Sequence, residues 1–163
     1  MGTLQNRVAN VFQTIASAAS TLKDVQLVLS LGPYVNPKEI GPLPKNAITV
    51  EYAPQLELLK RASVCIIHAG LNTVLEALAQ GVPQVAIPVT NDQPGVAARI
   101  ADKKTGLVLA LKDLSASRLS HLLNEVMTDP IFRNNAQDFQ KIIAKTNGLS
   151  IAANLMERAF GLT

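Results

Sequence analysis

Five short apolar runs recur along the chain: VQLVLSLG (25–32), AITVEY (47–52), VCIIHAG (64–70), QVAIP (84–88) and GLVLAL (106–111). In most of them the apolar residues fall on consecutive positions rather than alternate ones, so both faces of those strands expect burial. A sheet buried on both faces is a parallel one covered by helices. The intervening segments supply those helices. Leu4, Val8, Val11, Phe12, Ile15, Ala19 and Leu22 recur at three- and four-residue steps, which predicts a long amphipathic helix. LELLKRA (56–62) predicts a short helix, and Asn72 opens another that stops at Gly81, where a helix C-terminus favours glycine. Pro94 sits at a first helical position, with a helix running to about Lys103. Three further helices are expected over 115–127, 129–145 and 150–160, while the proline-rich stretch 33–46 reads as a loop. The fold class is α/β, a parallel sheet with helices on both faces.

At 163 residues the chain fits one domain, 1–163. Charged residues make up 17% and apolar residues 48%, which suits a packed globule and disfavours disorder. The net charge of +3 comes from scattered residues, and aromatics amount to 4% with no tryptophan. A nucleic-acid footprint would need a basic stripe and stacking platforms, so none is expected. The lone Cys65 sits in an apolar run and reads as core filler. No apolar run reaches the roughly 18 residues of a membrane span, and the N-terminus lacks signal-peptide order. The expectation is a soluble, cytoplasmic protein. Two histidines and one cysteine offer no metal-ligand spacing. Neither G-x-G-x-x-G, G-x-x-x-x-G-K-[ST] nor G-x-S-x-G occurs, which disfavours oxidoreductase, P-loop and hydrolase chemistry.

The chemistry concentrates between Tyr52 and Gly95. Ligands of open parallel sheets bind at the carboxyl ends of the strands, and IIHAGLNTVLEAL is a strand end, a tight turn and a helix start. Gly70 lets the backbone turn. The first N–H groups of the helix, near Leu71, Asn72 and Thr73, form an anion site, to which His68 could add a ring donor. Glu76, one turn further on, could accept from sugar hydroxyls. Each residue also has a structural reading. His68 could be a satisfied strand-end histidine, Asn72 and Asp92 helix caps, Glu76 a solvated helix residue, and Tyr52 packing.

Together the motifs resemble the donor signature of nucleotide-sugar-dependent glycosyltransferases built from two Rossmann-like halves, the GT-B architecture. The matching elements are APQ (53–55), HAGLNT (68–73), Glu76, GVP (81–83), Pro88 and DQ (92–93). DQPGVAARI (92–100) and GTLQN (2–6) look most like the carotenoid, or zeaxanthin glucosyltransferase, branch. The resemblance implies one half of a GT-B fold, the C-terminal nucleotide-sugar-binding domain, with an N-terminal acceptor domain and a first strand elsewhere in a longer protein. It implies that Tyr52 stacks on the base and that Ala53 and Gln55 lie at base and ribose. His68, Gly70, Asn72 and Thr73 would hold the diphosphate, with Thr3 nearby. Glu76 would take the ribose hydroxyls, and Asp92 and Gln93 the transferred sugar. Tyrosine at 52 and leucine at 71 depart from the tryptophans common in plant members. No cofactor or metal is implied, and the general base would be a histidine of the other half. The last helix would carry Ile151, Leu155, Met156 and Phe160 onto that half, or pack them on its own domain. The full-length protein is expected to be cytoplasmic or peripheral at a membrane.

Overall fold

The computed structural model describes residues 9–161. Thr3 and the opening of the first expected helix lie outside them. In chain order the elements are α1 (Ala9–Ser20), β1 (Leu27–Ser30), β2 (Ala47–Val50), α2 (Gln55–Leu59), β3 (Cys65–Ile67) and α3 (Leu71–Ala79). There follow β4 (Gln84–Ala86), α4 (Gln93–Asp102), β5 (Gly106–Val108), α5 (Ala116–Thr128), α6 (Pro130–Lys145) and α7 (Gly148–Ala159). The stretch read as loop between β1 and β2 contains a 3-10 turn over Pro37–Ile40, started by the Asn36 side chain accepting from the Lys38 N–H.

All strand pairs are parallel. β1 pairs with β2, setting Leu27 opposite Ala47. β3, β4 and β5 form a second sheet in that order, with Cys65 opposite Gln84 and Gln84 opposite Gly106. Among the described residues the ladder does not continue from β1 to β3, yet both sheets feed one core. Leu29 of β1 and Val85 of β4 share it with Val11, Phe12 and Ile15 of α1 and Leu119, Leu123 and Val126 of α5. The other face of the three-stranded sheet, Ile67 and Ala86, packs on Val74 and Leu78 of α3, Val96 and Ile100 of α4 and Ala136 of α6. Helices thus cover both faces of β3–β5, as the uninterrupted apolar runs require. The β1–β2 pair departs from that expectation. Val28 and Ile48 are exposed, because among the described residues no helix lies over that face.

Two local features fix where the strand ends fall. α3 stops at Gln80, and Gly81 follows at φ +65°, a left-handed turn that turns the chain toward β4. Arg133 of α6 donates to the carbonyls of Gly81, Ala62 and Ser63 at 3.0, 3.3 and 2.5 Å. One guanidinium therefore ties the end of α3 to the turn before β3. Truncation would strand three carbonyls in a partly buried place. Arg133→Ala is expected to lower the unfolding free energy by about 2–3 kcal/mol, read from urea denaturation; a change below about 0.5 kcal/mol would contradict the clasp.

α7 buries none of its residues. Leu149, Ile151, Leu155, Met156 and Phe160 are all exposed. Packing of the apolar stripe on its own domain, one of the two expectations, does not occur.

Candidate functional site

The carboxyl ends of β3 and β4 lead into His68 and the start of α3 on one side and into Asp92 and Gln93 at the start of α4 on the other. After Ile67 the chain passes through His68, then Ala69 at φ +63°, and enters α3 through Gly70. An L-residue in the left-handed region costs of the order of 1–3 kcal/mol, and Ala69 is fully buried there. The turn expected at Gly70 is therefore made by Ala69. Gly70 itself is extended, at φ −65° and ψ 129°, and is needed for a different reason. A Cβ on it would stand 2.5 Å from His68 Nε2 and 2.9 Å from Cε1. The imidazole fills the space above Gly70, at the mouth of α3.

Gly70 is also the N-cap of α3, and it offers no side-chain cap. Asn72 is thus not the cap; it sits one position inside the helix and is exposed. The first intrahelical bond is Val74 N–H to the Gly70 carbonyl at 3.1 Å, so the N–H groups of Leu71, Asn72 and Thr73 precede the first intrahelical donor. They point out of the helix beside the His68 ring with the macrodipole behind them. No lysine or arginine occurs between Arg61 and Arg99. An anion here would be held by neutral donors and the helix end. Burial holds the His68 pKa below the usual imidazole value, while the Asp92 carboxylate pulls the other way. That opposing pull places the two strand ends within electrostatic reach of each other.

On the β4 side, Asn91 adopts φ +57° and Asp92 stands at the N-cap position of α4. Its side chain makes no cap hydrogen bond, so capping does not explain the carboxylate, which is exposed. Gln93 is buried. Its Oε1 accepts from the Val89 and Thr90 N–H groups at 2.8 and 3.1 Å, which shapes the loop after β4. This loop-holding role is added to the expectation that Gln93 meets the transferred sugar, and it leaves no mark in the sequence.

On the β2 side, Tyr52 is 84% exposed, and packing does not account for it. Ala53 is buried. Gln55, the first residue of α2, donates through Nε2 to Glu76 Oε2 on α3. Two residues assigned to the same part of a ligand are therefore bonded to each other. Thr73 is half-buried and Leu71 exposed at the helix mouth. A cavity of about 410 Å³ at the carboxyl ends of β1 and β2, lined by Gly32, Tyr34 and Glu51 among others, ends one residue before Tyr52. Among the described residues no group of three His, Cys, Asp or Glu side chains could hold a metal ion. Cys65 is packed against the core, and burial raises its thiol pKa to about 11, so it is no thiolate nucleophile. His121 lies exposed on α5, 3.9 Å from Glu125, and lines a pocket with Val108 and Leu109 at the carboxyl end of β5.

Comparisons with known proteins converge on one group. A UDP-glucosyltransferase, YojK of Bacillus subtilis (strain 168), itself uncharacterised, is 32% identical over 154 residues, covering 94% of this chain and 38% of that protein. The zeaxanthin glucosyltransferase of Pantoea ananas is 30% identical over 160 residues, 97% of this chain and 37% of that one. These identities are too alike to single out a carotenoid branch. The solved structure of CalG4, the calicheamicin glycosyltransferase, superposes with a TM-score of 0.88 at 26% identity over 99% of this chain and 42% of that one. The glycosyltransferase VinC in complex with dTDP gives 0.82 at 28% over 90% and 36%. The fold is thus that of GT-B glycosyltransferases, and the chain spans a little over a third of the relatives it matches. The model of the family described as UDP-glucoronosyl and UDP-glucosyl transferase matches residues 4–146, and the chain belongs to that family.

Proposed function

We propose that this chain is the donor-binding domain of an inverting, metal-independent glycosyltransferase that moves a hexose, glucose, from UDP-glucose to a hydroxyl of a lipophilic acceptor such as a carotenoid. The observation that carries the reading is the uncapped start of α3 beneath the His68 ring. Transfer builds negative charge on the departing diphosphate, and donors fixed in place stabilise it without reorganising. Asn72 and Thr73 contribute backbone N–H groups, His68 its ring N–H, and Thr3 approaches the same phosphates. Tyr52 stacks on the base, Ala53 and Gln55 flank base and ribose, and Glu76 accepts from the ribose. Asp92 and Gln93 meet the sugar hydroxyls. In this reading an N-terminal acceptor domain supplies the general base and covers the apolar stripe of α7. Neither cofactor nor nucleic acid takes part. Among the described residues no helix is long and apolar enough to cross a membrane; we place the full-length protein in the cytoplasm or peripherally on a membrane.

A second reading has a specific observation behind it. This alternative is a macrolide or sterol glycosyltransferase using a dTDP- or UDP-sugar, or a non-catalytic nucleotide-binding partner module of the same fold; the match to VinC in complex with dTDP favours the dTDP form of the donor. Calorimetric titration with UDP-glucose, UDP and dTDP separates the two. The leading reading expects UDP to bind more tightly than dTDP, and UDP-glucose to gain over UDP by an increment that Asp92→Asn removes. Preference for dTDP would favour the second reading, and no binding of any nucleotide to a folded chain would overturn both.

The depressed pKa of His68 makes a further prediction. Free His68 is neutral near pH 7, and a diphosphate beside it raises its pKa, so binding takes up a proton. UDP affinity should strengthen as pH falls from about 8 to about 6, beyond what the nucleotide's own titration gives. His68→Ala should lose the excess and keep the nucleotide's share. Identical pH profiles for the two proteins would contradict the assignment.

A further inference from the structure

We infer that Gln84 is a positioning residue: from inside the sheet it holds the first turn of α3, and with it the three N–H groups that face the anion. This rests on the donor-site reading above. Gln84 opens β4, with Cys65 opposite it on β3 and Gly106 opposite it on β5, and it is wholly buried. Its Nε2 donates to the Val74 carbonyl on α3 at 3.2 Å, and its Oε1 meets no hydrogen-bond partner among the described residues. The amide cannot be reversed, because Oε1 would then face the Val74 carbonyl, acceptor against acceptor. A buried glutamine satisfied at one end adds little to stability, since the unpaired acceptor offsets much of what the single bond gives. An apolar side chain of the same volume would fill the core as well. What the glutamine adds is a fixed point of attachment.

That point lies where α3 is otherwise least secured. Val74 closes the first turn through its bond to the Gly70 carbonyl, and Leu71, Asn72 and Thr73 lie between the two. The chain enters this turn through Ala69 at φ +63°, a conformation that an L-residue keeps only where its surroundings enforce it. Gly70 adds no side-chain cap, and helix ends fray. Gln84 supplies from the neighbouring strand the restraint that a cap would supply from the helix itself. β4 also runs on toward the loop that carries Asp92 and Gln93, so one strand references both sides of the site. Donors held in this way need not reorganise when charge develops on the departing diphosphate.

The test is Gln84→Met, close to glutamine in volume and without a donor, followed by thermal melting, calorimetric titration with UDP and amide hydrogen exchange. The melting temperature should stay within about 3 °C of wild type. UDP should bind about three- to tenfold more weakly, the factor to which one net hydrogen bond corresponds. The Val74 amide should exchange faster by about the same factor, while Val85 in β4 keeps its protection. Gln84→Glu provides the rescue. A carboxyl buried there stays protonated, and its O–H can donate to the Val74 carbonyl, so UDP affinity should return to within about twofold of wild type. Unchanged UDP affinity in Gln84→Met, protection lost along the whole chain instead of at the first turn of α3, or no recovery in Gln84→Glu would each make Gln84 a strut of the core alone. Any of these would overturn the inference and leave the donor site intact. Failure of the folded wild-type chain to bind UDP would overturn the donor-site reading itself, and this inference with it.

Discussion

The Gly70→Ala variant is expected to fold and to lose most of its affinity for UDP. Gly70 has a backbone conformation open to any residue, at φ −65° and ψ 129°, so the added methyl brings no backbone strain. It meets the His68 imidazole instead, 2.5 Å from Nε2 and 2.9 Å from Cε1. Ring atoms cannot stay at those distances, and the ring must swing off the mouth of α3. The variant then keeps the helix N–H groups and misplaces the histidine donor. A charge-assisted hydrogen bond of this kind contributes about 1.5–3 kcal/mol, or about 10- to 100-fold in Kd. Calorimetric titration beside a thermal melt measures both halves of the statement. Because the damage passes through the ring, combining Gly70→Ala with His68→Ala should cost no more than His68→Ala alone. Unchanged affinity in Gly70→Ala would show that the ring has no part in binding.

Gly106→Ala should damage stability instead. Gly106 lies opposite Gln84 in the β4–β5 ladder, and a Cβ on it would stand 1.9 Å from the Gln84 carbonyl oxygen and 2.7 Å from its carbon. The obstacle is backbone, which cannot rotate aside as an imidazole can. β5 would have to move off β4, breaking the bond from Gln84 N–H to the Thr105 carbonyl at 3.1 Å. Overpacking in cores costs about 1–3 kcal/mol; with the strand pair disturbed, about 3 kcal/mol or more is expected, a large part of the 5–15 kcal/mol that holds a typical domain. The midpoint of urea unfolding should fall accordingly, and a shift within about 0.5 kcal/mol of wild type would contradict the close approach. Gln84 is itself fully buried, its Nε2 donating to the Val74 carbonyl on α3. Displacement at Gly106 therefore reaches the helix of the cradle too.

Much of this architecture was legible because burial on both faces leaves a mark in every residue of a strand. All five runs became strands, and Gly81 ended α3 as expected. What sequence could not show involves partners distant along the chain or atoms that every residue has. Arg133 binds carbonyls 52, 71 and 70 positions away, and carbonyls carry no sequence signature. The bond from Gln55 to Glu76 joins residues 21 apart on different helices; polar types at those positions were visible, their pairing was not. The role of Gly70 was misread because a glycine needed for conformational freedom and one needed for space look the same as letters. The periodicity of α7 revealed an apolar stripe but not what covers it, and the exposure of Val28 and Ile48 follows from which helices are present rather than from the strands themselves.

The central claim is that a nucleoside diphosphate sits with its phosphates on the first N–H groups of α3. Backbone amide shifts of isotope-labelled chain, followed by NMR during titration with UDP, test it directly. The amides of Leu71, Asn72 and Thr73 should move first and furthest, together with the His68 ring resonances, followed by residues near Tyr52 and Glu76. Shifts confined to the cavity around Gly32 and Glu51, or none in a folded chain at saturating UDP, would contradict the account.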